Sequence, residues 1–111
     1  MKYLPKGLTE FKILRIELED NDIKELPSSL TKLSLLNQSL LTNKGFEYLS
    51  NYSLKSLEIY GNYNFDTEGI KLLPSTLTYL SIDDCNKIND DNLQYLPPNL
   101  IHLKIQRCKN I

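Results

Sequence analysis

A leucine or isoleucine frame returns five times along this chain at almost constant spacing, and each return carries the same short apolar pattern. The segments read Leu8-Thr-Glu-Phe11-Lys-Ile13, Leu30-Thr-Lys-Leu33-Ser-Leu35, Leu54-Lys-Ser-Leu57-Glu-Ile59, Leu77-Thr-Tyr-Leu80-Ser-Ile82 and Leu100-Ile-His-Leu103-Lys-Ile105. Their starts lie 22, 24, 23 and 23 residues apart. A fixed period in this range marks one supersecondary unit copied along an axis, each copy burying its apolar side against its neighbours. Residues 1–111 therefore read as one array of about five rungs.

Further apolar positions keep a constant offset from the last strand residue of each unit. Six residues on stand Leu41, Phe65, Ile88 and Ile111; eleven on, Phe46, Ile70 and Leu93; fourteen on, Leu49, Leu73 and Leu96. In the first unit Leu18, Ile23 and Leu26 take these roles one residue early, as a single deletion after Ile13 would produce.

The two inner apolar residues of each segment are two apart, so they face one side of a strand and the residue between them faces the other. Strands are predicted near 10–14, 32–36, 56–60, 79–83 and 102–106. The spacing then changes to three, as in Phe46 with Leu49, which suits a turn of helix. Thr42, Asp66 or Thr67, and Asn89 or Asp90 are candidate N-caps. Pro27, Pro74, Pro97 and Pro98 end the helical turns and send the chain back to the next strand, Ser50 taking that place in the second unit.

These residues resemble a leucine-rich repeat (LRR) protein. The unit from Leu77 to Leu96, with Cys85 at the bend, is similar to the cysteine-containing repeats attached to F-box domains. Leu73-Pro-Ser-Thr-Leu77-Thr-Tyr-Leu80 resembles the FNIP repeat, and Gly61-Asn-Tyr-Asn-Phe65 partly echoes its Phe-Asn core. Ile16, Gln38 and Asn62 stand where the last two units have Cys85 and Cys108, so no single subtype covers the chain. The resemblance implies a right-handed α/β solenoid, with a curved parallel β-sheet on the concave side and short helices or turns on the convex side. It further implies protein recognition through the concave face.

Both ends of the array are expected to be open. The N-terminal six residues are too few for a large cap, and Ile111 falls just after a strand. The chain then reads either as part of a longer array or as one that protects its C-terminal edge by pairing, because an uncovered Leu103, Ile105 and strand edge favour self-association.

Charge narrows the function classes. The 13 basic and 14 acidic residues are interspersed, without the basic stripe that nucleic acid binding requires. No apolar run approaches the roughly 20 residues of a membrane span, and the N-terminus lacks the pattern of a secretory signal. The expectation is a cytoplasmic protein without nucleic acid or membrane partners. Cys85 and Cys108 share a column of adjacent rungs, where parallel Cβ directions disfavour a disulfide and two buried thiols fit a reducing compartment. With His102 as the single histidine, no metal or cofactor site is implied. Asp83-Asp84 and Asp90-Asp91 are adjacent pairs, whose members point apart on a strand or favour the start of a helix, so no catalytic dyad and no enzyme is expected.

The outward strand positions remain. One column runs Glu10, Lys32, Ser56, Tyr79, His102, and the next Lys12, Ser34, Glu58, Ser81, Lys104. Beyond them lie Leu14, Leu36, Tyr60, Asp83, Gln106, then Arg15, Asn37, Gly61, Asp84, Arg107. Tyrosine and arginine are enriched at binding hot spots. Tyr60, Tyr79, Asp83, Asp84, His102, Lys104 and Arg107 are the candidate partner-binding residues, with an Asp84–Arg107 ion pair as the structural alternative. Tyr48 and Tyr95 adjoin helix core positions, and Tyr3, Tyr52 and Tyr63 lie at an end or in turns. Another protein is the expected partner. Narrower roles are the substrate-receptor part of an F-box ubiquitin ligase, a microbial or viral effector in a host cytosol, and a self-assembling structural module.

Overall fold

In the computed structural model, which describes residues 4–62 and 64–110, the apolar frame folds into five strands joined by short helices. The readings made for Tyr3, Tyr63 and Ile111 lie outside the described residues. The elements run β1 (Glu10–Ile13), α1 (Asp20–Ile23), β2 (Lys32–Leu36), α2 (Asn43–Leu49), β3 (Ser56–Tyr60), α3 (Thr67–Lys71), β4 (Tyr79–Asp83), a 3-10 helix (Asp90–Tyr95) and β5 (His102–Gln106). The strands lie in chain order and every neighbouring pair is parallel, so the chain is α/β with a repeat-like parallel sheet.

The register converts sequence spacing into columns. Leu33 stands beside Leu57, Leu57 beside Leu80 and Leu80 beside Leu103, while Ile13, Leu35, Ile59, Ile82 and Ile105 form the second apolar line. Because alternate residues leave a strand on opposite faces, both lines enter one core. Phe46, Phe65, Ile70, Leu41, Leu49 and Ile88 close it from the connecting segments, all nearly inaccessible. Phe46 and Phe65 meet with ring centroids 4.8 Å apart. Leu18, Ile23 and Leu26 are buried too, in the roles that the shifted first unit assigns them. The core loosens toward the C-terminal repeat, where Leu93 and Leu96 are half-buried and Leu103 is 44% exposed.

Each junction repeats the same hydrogen bonds. The Thr9 carbonyl accepts from the backbone N–H groups of Thr31 and Lys32, and Thr31, Lys55 and Thr78 repeat the pattern one unit on. The prolines act as turn carbonyls: Pro27 accepts from Leu30 N–H at 3.2 Å and Pro74 from Leu77 N–H at 3.3 Å. Thr42, Asp66 and Asn89 are the N-caps, with Lys44, with Glu68 and Gly69, and with Asn92 respectively as donors. The caps are tied between units, since Asp20 Oδ1 accepts from Thr42 N–H at 2.8 Å and Asn92 Nδ2 donates to Thr67 Oγ1.

One column turns polar groups inward. Gln38 Nε2 donates to the carbonyl two residues back, Leu36, and so do Asn62 Nδ2 to Tyr60, Cys85 Sγ to Asp83 and Cys108 Sγ to Gln106. All four side chains are buried, and both thiols are free. From the second unit on, this position keeps a local donor while changing its size; Ile16 of the first unit has none and is 58% exposed.

Candidate docking face

The face of the sheet opposite the core is built from the residues that alternate with the buried ones. Glu10, Lys32, Ser56, Tyr79 and His102 stand side by side in one column, and Lys12, Ser34, Glu58, Ser81 and Lys104 in the next. A third joins Leu36, Tyr60, Asp83 and Gln106. Just beyond the strands, Arg15, Asn37, Gly61, Asp84 and Arg107 all adopt positive φ, between 51° and 66°. The N–H groups of Asn37, Gly61 and Asp84 still bond to the Tyr60, Asp83 and Gln106 carbonyls on the following strand.

Arg107 pairs with Asp83, not with Asp84 as the sequence alternative has it. Its Nε donates to Asp83 Oδ1 at 2.8 Å and its Nη2 to Oδ2 at 2.7 Å. The Asp83 side chain stands on the strand face and is only 16% exposed, whereas Asp84 occupies the left-handed bend. The arginine hydrogen bond holds the Asp83 carboxyl below its ordinary value, with the guanidinium charge adding to the effect. Arg107 also lies 5.4 Å from the Tyr60 ring centroid, so one cation joins residues of β3 and β4.

The remaining candidates form a second group. Tyr79 and His102 are neighbours in the first column, ring centroids 6.4 Å apart. Asp83 lies four positions beyond Tyr79 along β4, about 13 Å at strand rise. The candidate residues thus fall in two spots at opposite ends of the strands, with Ser81 and Lys104 between them.

A shallow groove of about 270 Å³ crosses the face, lined among others by Glu58, Tyr60, Ser81, Asp83, Lys104 and Arg107. Lys12 lines it as well, and Ser34 Oγ donates to Glu58 Oε1 at 2.6 Å. The sequence-predicted docking set omits Lys12 and Glu58. The signal for them was available, because both stand in the same column as Lys104. Just beyond β1, Leu14 is 51% exposed.

On the helix side, Lys24 Nζ lies 4.6 Å from the Tyr48 ring centroid and Lys71 Nζ 4.5 Å from that of Tyr95. Both tyrosines thus pack against a lysine of the preceding unit. Tyr52 donates its hydroxyl to the Ile23 and Leu26 carbonyls, which fixes it as a structural brace. Among the described residues, no three His, Cys, Asp or Glu side chains converge as a metal site would require, and no helix is long and apolar enough to cross a membrane.

No protein-family model matches the sequence, and no curated protein matches it.

Proposed function

We propose that the chain is a leucine-rich repeat module, a right-handed solenoid with this face on its concave side, that binds another protein there and performs no catalysis. The reading is supported above all by the Tyr60–Arg107–Asp83 group, in which a large aromatic surface and a charged fork are already held in place before any partner arrives. Such preorganisation lowers the ordering cost of binding. The buried free thiols suit a reducing cytosol, the compartment expected both for a ubiquitin-ligase substrate receptor and for an effector acting in a host.

The test is affinity capture from a lysate of the source cell or its host, comparing the native chain with Tyr60→Ala, Tyr79→Ala, Arg107→Ala after circular dichroism has verified the fold. A specific partner lost only with the variant supports the reading. Equal recovery of the same partners by both proteins would overturn it.

A second reading, stacking between copies, is favoured by the last strand. Among the described residues β5 pairs on one side only; Ile101, just before it, is 75% exposed and Leu103, within it, 44%. Stacking predicts association that rises with concentration, survives the tyrosine substitutions and disappears on Leu103→Lys.

A further inference from the structure

We propose that the open face recognises an extended, proline-rich peptide by charge register, taking acid, base and acid at every third residue against Lys12, Glu58 and Lys104. This rests on the proposed docking role of the face and adds the chemistry of its partner.

Two pairs of charges on this face are already satisfied. At the outward strand positions, Glu10 is paired with Lys32 at 3.5 Å and Asp83 with Arg107 at 2.7 Å. The other three charged residues there are Lys12 on β1, Glu58 on β3 and Lys104 on β5, and among the described residues none of them forms an ion pair. The cause is geometric: they share one column but stand two strands apart, about 9.6 Å at ordinary strand spacing. The serines between them carry no charge, and Ser34 occupies one Glu58 oxygen while leaving its charge in place. The column therefore presents plus, minus and plus at even intervals along one groove.

A polyproline II segment matches that interval. It has three residues per turn and rises about 3.1 Å per residue, so side chains at i, i+3 and i+6 project from one side at intervals of about 9.3 Å. A β-strand sends i and i+3 to opposite faces. An α-helix repeats a face every seven residues, about 10.5 Å, and falls about 1.8 Å out of step by the third charge. The rings flanking the column add a second reason. Tyr60 stands on β3 beyond Glu58 and Tyr79 on β4 before Ser81, both half-buried, and proline-rich segments dock against aromatic side chains.

The test is fluorescence anisotropy at low ionic strength with three labelled peptides. They are Glu-Pro-Pro-Lys-Pro-Pro-Glu, its charge reversal Lys-Pro-Pro-Glu-Pro-Pro-Lys, and Glu-Lys-Glu-Pro-Pro-Pro-Pro, which has the composition of the first without its spacing. The native chain is expected to bind the first about tenfold tighter than the other two, because the reversal sets like charges against each other. Lys12→Glu, Glu58→Lys, Lys104→Glu is expected to prefer the reversal, and Glu58→Gln alone to narrow the native preference. Equal binding of all three peptides, or an unchanged order in the swapped variant, overturns the register. If that equal binding is lost with Tyr60→Ala, Tyr79→Ala, the docking face survives the failure of the register. No binding of any peptide also overturns the register, and overturns the docking face with it if captured partners are indifferent to the tyrosines.

Discussion

Arg107 grips the Asp83 carboxylate with two parallel hydrogen bonds, of 2.8 and 2.7 Å, across 24 residues of sequence. The left-handed backbone at Arg107, φ 51°, accompanies this placement, and Tyr60 backs the guanidinium. A carboxyl whose folded pKa is depressed stabilises the fold wherever it is ionised. Its contribution is complete above the ordinary value of 3.8 and fades as pH falls through the lower folded value. The stability difference between native protein and Arg107→Ala is thus expected to hold steady from about pH 7 to about pH 5 and to shrink below 3.8. Urea unfolding at stepped pH checks this, and a difference that already collapses near pH 5 would contradict it.

The bend after each strand makes two substitutions opposite in sign. Arg15 holds φ 62° with a side chain that the left-handed region disfavours, so Arg15→Gly should stabilise by about 0.5–1 kcal/mol. Gly61 holds φ 66°, and a Cβ added there would also collide with Asn37 Oδ1. Gly61→Ala should cost about 1–2 kcal/mol, the strain outweighing a contact that the Asn37 side chain can relieve by rotating. Paired thermal denaturation tests the signs, and two shifts in the same direction would refute the account.

Gln38 serves three backbone groups at once. Its Oε1 accepts from Leu18 N–H at 2.7 Å, and its Nε2 donates to Ile16 and Leu36 carbonyls at 2.8 and 3.2 Å. Gln38→Leu preserves apolar volume and removes all three bonds, and should destabilise by about 2–4 kcal/mol because the Leu18 amide loses its partner. Denaturant titration measures the loss. A cost below about 0.5 kcal/mol would mean that water replaces the side chain there.

Cys85 is expected to resist modification. Burial is the main cause that pushes its thiol up to about 11, against an ordinary value of 9.0. At about pH 8 the folded chain should leave Cys85 unlabelled by iodoacetamide while urea-unfolded chain reacts fully, as read by peptide mass spectrometry. The raised pKa carries a stability consequence of defined sign: its contribution is complete below 9.0 and is lost as pH rises through about 11. Rapid labelling of folded Cys85 would show that the bend opens readily.

Much of the sheet was legible because one residue of spacing changes the face a side chain occupies. Leu57 and Ile59 bracket Glu58, and no register could bury all three. The single-residue shift that moves Leu18, Ile23 and Leu26 forward was equally readable, since only that shift returns them to the core. The docking set was less legible. Tyr60 and Tyr79 belong to adjacent strands, yet they stand at opposite ends of the strand width, a separation that adjacency in a list of exposed residues conceals.

By itself the sequence determined the period, the strand positions and the side from which each strand residue projects, because periodicity two and a constant repeat length leave no other way to bury the leucines together. Only the tertiary structure decided which groups meet. Arg107 could have reached Asp83 or Asp84, and the choice fell to Asp83 because it stands at the end of a strand while Asp84 takes the left-handed bend. Among the described residues Lys12, Glu58 and Lys104 form no ion pair for the same kind of reason: partnership between side chains depends on distances across strands, which no single stretch of sequence contains.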